Sequence, residues 1–296
     1  MSVHLLSIAL PPGYRRADAL AFHGRDAEGL AERVEGQRIR KGVLFEGVPV
    51  QLEVALEDGR AVCMVDGAGE DILPRARDAL LNMLGLRIDP APFEQAVRDD
   101  PLFGPLVRRT PGLRVIQSAT VFEALTWAII GQQINLPFAI ALRRSFIGQA
   151  GRPHPQGLWC YPEAADVARL DIDQLTSRKF SRAKAETLLR LARLVADGEL
   201  NLARDAGSDA EMAGIGARLL AVKGIGPWTV NYALLRGYGY PDCSLHGDVA
   251  VRSAIQGLTG AATRPDLAAA EAFLQAYRPH RTMAAAYLWT SLNQAA

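Results

Sequence analysis

The spacing of apolar residues changes once along this chain, near Pro90 and Pro92, and that single change limits what it can fold into. Before the prolines the period is two. Residues 51–56 alternate apolar and polar over most of their length, as a strand with one buried face requires. Strands are predicted over 3–9, 40–45, 48–56 and 61–66, and Asp58-Gly59 has the form of a hairpin turn between the last two. Helices over 17–22 and 73–86 would cover this sheet. After the boundary at 87–92 the period becomes helical. Leu188, Leu191, Ala192 and Val195, for example, form an i, i+3, i+4, i+7 stripe. Helices are predicted over 92–99, 119–133, 137–147, 164–170, 183–197, 209–222, 227–237, 248–258, 266–277 and 281–293. The expected class is α+β, with an N-terminal domain (1–88) built on a small antiparallel sheet and an all-helical remainder (89–296).

Within the helical part, residues 219–236 carry the most specific signal. An apolar helical pattern runs into Gly224-Ile225-Gly226, and Pro227 opens a second one. Proline at a first helical position loses no hydrogen bond, because that N–H has no partner inside the helix. Glycines permit positive φ and close backbone approach. The product is a tight helix–hairpin–helix whose second helix presents free N–H groups, a ready site for an anion such as phosphate. Read alone, the same residues also describe an ordinary turn between helices with glycine at a C-terminus.

Composition sets the outer limits. At 296 residues, with 49% apolar and 22% charged residues, the chain can bury a full core and hold two or three subdomains. No apolar run approaches a membrane span, and the N-terminus lacks a basic leader segment, so a soluble cytoplasmic protein is expected. Cys63, Cys160 and Cys243 lie far apart, which fits a reducing compartment. The five histidines show no ligand spacing and are expected at solvent-exposed tips. Net charge is only +1, but residues 108–184 hold eleven Lys/Arg against five Asp/Glu. That stretch is compatible with a phosphate-tracking face or with charges scattered over solvated helices.

Asp248 lies twenty-two residues beyond Gly226, past a turn-rich stretch, and directly precedes a helical pattern. Hairpin, aromatic-rich second helix, loop and then an acid at a helix start resemble the helix–hairpin–helix DNA glycosylases with a Gly/Pro-rich loop and Asp. Ala128-Ile129-Ile130-Gly131-Gln132-Gln133, Pro111-Gly112-Leu113-Arg114 and the closing helix with Trp289 extend the resemblance over most of the chain. Its nearest branch is the alkylation-repair type of bacterial 3-methyladenine DNA glycosylase II. The resemblance implies two helical lobes with a cleft between them, the C-terminal helices packing with 89–115. It implies a monomer acting on double-stranded DNA that contains damaged bases, associated with the nucleoid through that DNA. No cofactor is expected. The cysteine spacing excludes the iron–sulfur loop of other branches, although relatives bridge the hairpin carbonyls to a phosphate with a monovalent cation.

The resemblance also assigns roles. Breaking an N-glycosidic bond builds positive charge on the sugar, and an anion held beside it lowers the barrier. Asp248 is the expected catalytic residue, and the same side chain can serve as an N-cap, since a helix N-terminus favours the charged carboxylate. Relatives that also cut the strand carry a nucleophilic lysine two residues after the last hairpin glycine. Here that residue is Trp228, which cannot form a Schiff base, so a monofunctional enzyme is implied. Trp228, Tyr232, Trp289 and Phe22 are expected to line the base pocket, where electron-rich rings would attract a cationic alkylated purine. Trp228 and Tyr232 are four apart and share a helix face. Gln132 and Gln133 stand where the family fills the gap left by the flipped nucleotide, and Ile134 could contribute. Lys223, Gly224, Gly226 and Thr229 are the expected phosphate contacts. Val249 and His246-Gly247 depart from the best-known bacterial form, which puts substrate range in doubt more than reaction type.

Overall fold

A computed structural model describes residues 2–67, 69–203 and 207–294. The N-terminal part runs β1 (Ser2–Ala9), α1 (Arg16–His23), β2 (Glu32–Glu35), β3 (Arg38–Phe45), β4 (Val48–Glu57), β5 (Arg60–Gly67) and α2 (Leu73–Met83). Next come α3 (Ala91–Ala96), α4 (Phe103–Arg109), α5 (Val121–Gly131), α6 (Leu136–Ala150), two short strands β6 (Arg152–Pro153) and β7 (Trp159–Tyr161), α7 (Ala164–Ala168), α8 (Ile172–Thr176) and α9 (Arg182–Ala196). The chain closes with α10 (Asp209–Leu220), α11 (Pro227–Ala233), a π-helical turn (Leu234–Tyr238), α12 (Val249–Thr259), α13 (Leu267–Gln275) and α14 (Arg281–Gln294). The α+β class holds.

The sheet is larger than the N-terminal pattern suggests. Its strand order is β1-β5-β4-β3-β7-β6, with β2 also paired to β3. The Asp58-Gly59 turn joins β4 to β5 with Gly59 at φ +71°. The additional strands β6 and β7 come from the helical half. β7 joins parallel, Gly42 opposite Cys160, so the sheet is mixed and the segment 152–161 crosses the boundary near residue 88. Gly42 permits this crossing, because a Cβ there would meet the Trp159 carbonyl oxygen at 2.3 Å. Strands two to four residues long carry too little alternation to be read from sequence. The short helices α4 and α8 escaped prediction for the same reason.

Two apolar cores result. One lies between the sheet and helices α1 and α2, and the other fills the helical lobes. Between them sits a buried ionic cluster. Lys41 and Arg143 each reach the Oε1 atoms of both Glu32 and Glu123, and His23 Nδ1 lies 3.0 Å from Glu32 Oε2. Burial pushes the Glu32 carboxyl up, but Lys41 and Arg143 outweigh it and hold the group well below the usual carboxylate range. His23 and His154 are buried, against the expectation of exposed tips. The closing helix α14 meets the segment 91–110 through Tyr287. Tyr287 stacks on Phe93, and its hydroxyl donates to Glu94 Oε1 (2.6 Å) and the Thr110 carbonyl (3.0 Å).

Candidate active site

Asp248 is the N-cap of α12. Its Oδ1 accepts the Val251 backbone N–H at 3.0 Å, closing the first turn as a cap should. The same carboxylate accepts two indole N–H groups, Trp228 Nε1 to Oδ2 at 3.0 Å and Trp289 Nε1 to Oδ1 at 3.2 Å. The preceding loop is clamped from behind, since Asp242 takes Arg281 Nε and Nη2 at 2.8 Å each and Arg278 Nε at 3.1 Å. The acid is therefore fixed in position, with all its close donors being N–H groups that favour a negative charge.

The aromatic residues lie close to the acid and to one another. Trp228 lies against Tyr232 with ring centroids 5.2 Å apart, and the Tyr232 hydroxyl accepts Trp127 Nε1 at 2.9 Å. Phe22 arrives from α1. Two arginines that the sequence reading missed complete the cage. Arg236 lies over Phe22 (5.1 Å), Trp289 (5.4 Å) and Tyr232 (6.0 Å), and Arg25 lies over Phe22 (4.1 Å) and Trp127 (4.5 Å). The rings expected to receive a cationic base thus already carry cations of the chain itself. Arg236 was legible in principle, as Trp228, Tyr232 and Arg236 step by four along one face. It sits in the π turn, whose freed Arg236 carbonyl accepts Ser118 N–H at 2.8 Å. Arg25 lies in a loop, and no periodicity points to it.

The hairpin residues divide by role. Gly224 has φ +99°, and a Cβ there would meet Thr187 Oγ1 at 2.0 Å, so intramolecular packing alone requires glycine. Gly226 has φ −103°, and a Cβ on it would meet nothing within 4 Å. Among the described residues no contact requires glycine there, so the backbone at this position is open to close approach from outside. Ile225 anchors the hairpin in the core. Thr229 is buried and accepts Gln132 Nε2 at 2.9 Å, while the Gly224 carbonyl accepts the same group at 3.2 Å. Gln132 and Thr229 therefore brace the hairpin to the end of α5, and both also line the cleft between the hairpin and the α5–α6 loop. Gln133 is exposed and held at φ +56°, the left-handed region that non-glycine residues seldom adopt. Of the two glutamines it is the more exposed.

Lys223 is exposed, and its carbonyl accepts Arg190 Nη1 at 3.0 Å. The basic stretch 108–184 is less open than its composition implies. Arg143 is buried in the ionic cluster, and Arg144 and Arg152 pair with Asp26 and Asp166. Arg178 and Lys179 remain exposed. The three cysteine thiols are buried, and burial raises each, to about 12 for Cys63 and Cys243 and about 11 for Cys160. They take no part in the site.

Between the α5–α6 loop and the hairpin lies a cleft of about 830 Å³, lined by Gln133, Ile134, Gly226, Trp228, Asp248 and neighbouring residues. A hairpin with an outward-facing glycine, an exposed residue on the opposite lip and a fixed carboxylate backed by an aromatic cage together define a nucleic-acid repair site. The comparisons agree. Residues 126–279 match the model of the HhH-GPD superfamily base excision DNA repair protein. A DNA-3-methyladenine glycosylase of Bacillus subtilis is 33% identical over 210 residues, covering 69% of this chain and 68% of that one. DNA-3-methyladenine glycosylase 2 of Escherichia coli is 27% identical over 189 residues, 63% of each chain. Among solved structures, the 3-methyladenine DNA glycosylase of Archaeoglobus fulgidus superposes with a TM-score of 0.82 at 21% identity, over 96% of this chain and 97% of that one. The chain belongs to the HhH-GPD superfamily of base excision DNA repair proteins. Among the described residues, no helix is long and apolar enough to cross a membrane.

Proposed function

We propose that the chain is a monofunctional DNA glycosylase that flips alkylated bases of the 3-methyladenine type out of double-stranded DNA and hydrolyses their N-glycosidic bond, leaving an abasic site. The observation that carries this reading is the Asp248 carboxylate, held by three N–H donors where cleft and aromatic cage meet. As the bond breaks, the sugar gains positive charge and the fixed anion stabilises it without reorganising. Water then adds to the sugar carbon. The strand stays intact because Trp228, not an amine, stands beside the acid, and Lys223 is on the exposed turn.

The similarity to relatives named as 3-methyladenine glycosylases supports alkylated bases as the substrate class. In this reading the chain acts as a monomer in the cytoplasm, meeting its substrate on nucleoid DNA and needing no cofactor. The test is free-base release by the purified chain from methylated, etheno-, deaminated and oxidised DNA. Release chiefly from methylated DNA is expected. Release chiefly from oxidised DNA would overturn the substrate class.

A further inference from the structure

The ionic cluster and the aromatic cage meet at Arg25, and the balance of charge there is uneven. Two carboxylates, Glu32 and Glu123, face two cations, Lys41 and Arg143, and both carboxylates are fully engaged: the second oxygen of Glu32 contacts His23 and that of Glu123 accepts the Ala119 N–H. Arg25 is a further cation, and the carboxylate that acts on it, Glu32, is already shared by Lys41 and Arg143. Its guanidinium lies over two rings, Phe22 and Trp127, and among the described residues its N–H groups have no hydrogen-bond partner. Burial lowers its pKa from the ordinary arginine value, while the residue keeps partial solvent exposure.

The rings under Arg25 connect by direct contacts to the aromatic residues around Asp248. Trp127 donates to Tyr232, which packs on Trp228, which donates to Asp248. Phe22 is shared with Arg236, which also lies over Trp289, the second indole on Asp248. Arg236 Nε is itself buried without a partner. This end of the pocket offers hydrogen-bond donors and positive charge. A base that presents acceptor atoms, or that gains negative charge as it leaves, complements it.

We propose that Arg25 stabilises the departing base when that base leaves as an anion, and so extends the pocket to bases that are uncharged in DNA. The inference rests on the glycosylase reading above. In the step, the sugar C1′–N bond breaks and both electrons go to the base. Water adds to C1′ and loses its proton to solvent, and the base anion is protonated by solvent. Arg25 transfers no proton. It donates hydrogen bonds to base acceptors as their charge grows. For hypoxanthine, neutral in DNA, that contact is stabilising throughout the step. For 7-methylguanine, cationic in DNA and neutral on leaving, the guanidinium repels the bound base and only loses that repulsion as the bond breaks, so relative to free DNA the contact gains nothing.

The experiment is single-turnover release of hypoxanthine and of 7-methylguanine from matched duplexes, with enzyme below saturation so that the rates are referred to free DNA, by wild type, Arg25→Gln and Arg25→Met. Loss of one such contact should slow hypoxanthine release about 10²-fold and leave 7-methylguanine within about threefold. Arg25→Lys, which keeps the charge without the fork, should recover part of the hypoxanthine rate. Equal losses on both bases would make Arg25 a packing residue and overturn the proposal, as would wild type that releases 7-methylguanine but no hypoxanthine. Wild type that releases neither base would instead refute the glycosylase reading. If Arg25→Met does not fold, the Gln variant supplies the same ratio.

Discussion

Replacing Asp248 by Asn separates the catalytic role of this residue from its structural one, and the structure sets both magnitudes. The carboxylate accepts three N–H groups with two oxygens: Val251 and Trp289 on Oδ1, Trp228 on Oδ2. An amide has one acceptor oxygen. With that oxygen on the cap, the new NH₂ faces the Trp228 N–H, donor against donor at the 3.0 Å now spanned by a hydrogen bond. The capped helix survives, but one indole loses its acceptor. For a half-buried group that costs about 1 kcal/mol, and a chain of this size should lose roughly 2–4 °C in Tm. The catalytic loss is larger, because the amide removes the charge opposing the sugar cation. The rate should fall about 10²–10³-fold, equivalent to roughly 2.7–4 kcal/mol. The assay is single-turnover release of 3-methyladenine beside thermal unfolding of the same preparation. A rate within threefold of wild type would refute the electrostatic role. A Tm loss large enough to unfold the variant at assay temperature would show that Asp248 is chiefly a structural cap.

Three further outcomes follow from the geometry. Gly226→Ala should leave Tm within about 1 °C, as surface changes do, yet weaken binding to undamaged and damaged duplexes alike in fluorescence anisotropy. Gly224→Ala should destabilise by about 1–3 kcal/mol through its positive φ and the Thr187 contact, measured by urea unfolding. Glu32, whose pKa is depressed in the fold, contributes stability above its unfolded pKa that is lost as pH falls below it toward the folded value. Wild-type Tm should therefore drop as the pH is lowered through and below about 4.5, and a Glu32→Gln variant, already less stable, should show a shallower drop over that window.

The large features were legible because they rest on local chemistry. Period two against period 3.6, the Asp-Gly turn and proline at the start of α11 each record a backbone preference in a few adjacent residues. The Trp228–Tyr232 pair follows from helical spacing. What escaped depends on distant contacts. The pairing of β7 with β3 joins residues 42 and 160 through a glycine chosen for a carbonyl 2.3 Å from its absent Cβ. The buried ionic cluster draws on β2, β3, α5 and α6, and each of its members reads in isolation as a surface charge. Thr229 and Gln132 look like outward polar residues until the fold sets them against each other. Arg25 has no sequence signal beyond lying three residues after Phe22.

The central claim is that this chain removes bases and leaves the strand whole. Methylated duplex DNA, end-labelled and incubated with the purified chain, tests it in one measurement: free base by mass spectrometry, strand length on a denaturing gel, and borohydride trapping in parallel. Free methylated base, a full-length strand that breaks only after alkali or heat, and no trapped complex are expected. The two lysines of the hairpin and of the helix that packs behind it are placed for other contacts, with Lys223 on the exposed turn and Lys184 Nζ donating to the Ile130 carbonyl at 2.8 Å. A strand cut without alkali and a trapped covalent complex, lost on mutating either lysine, would contradict the account.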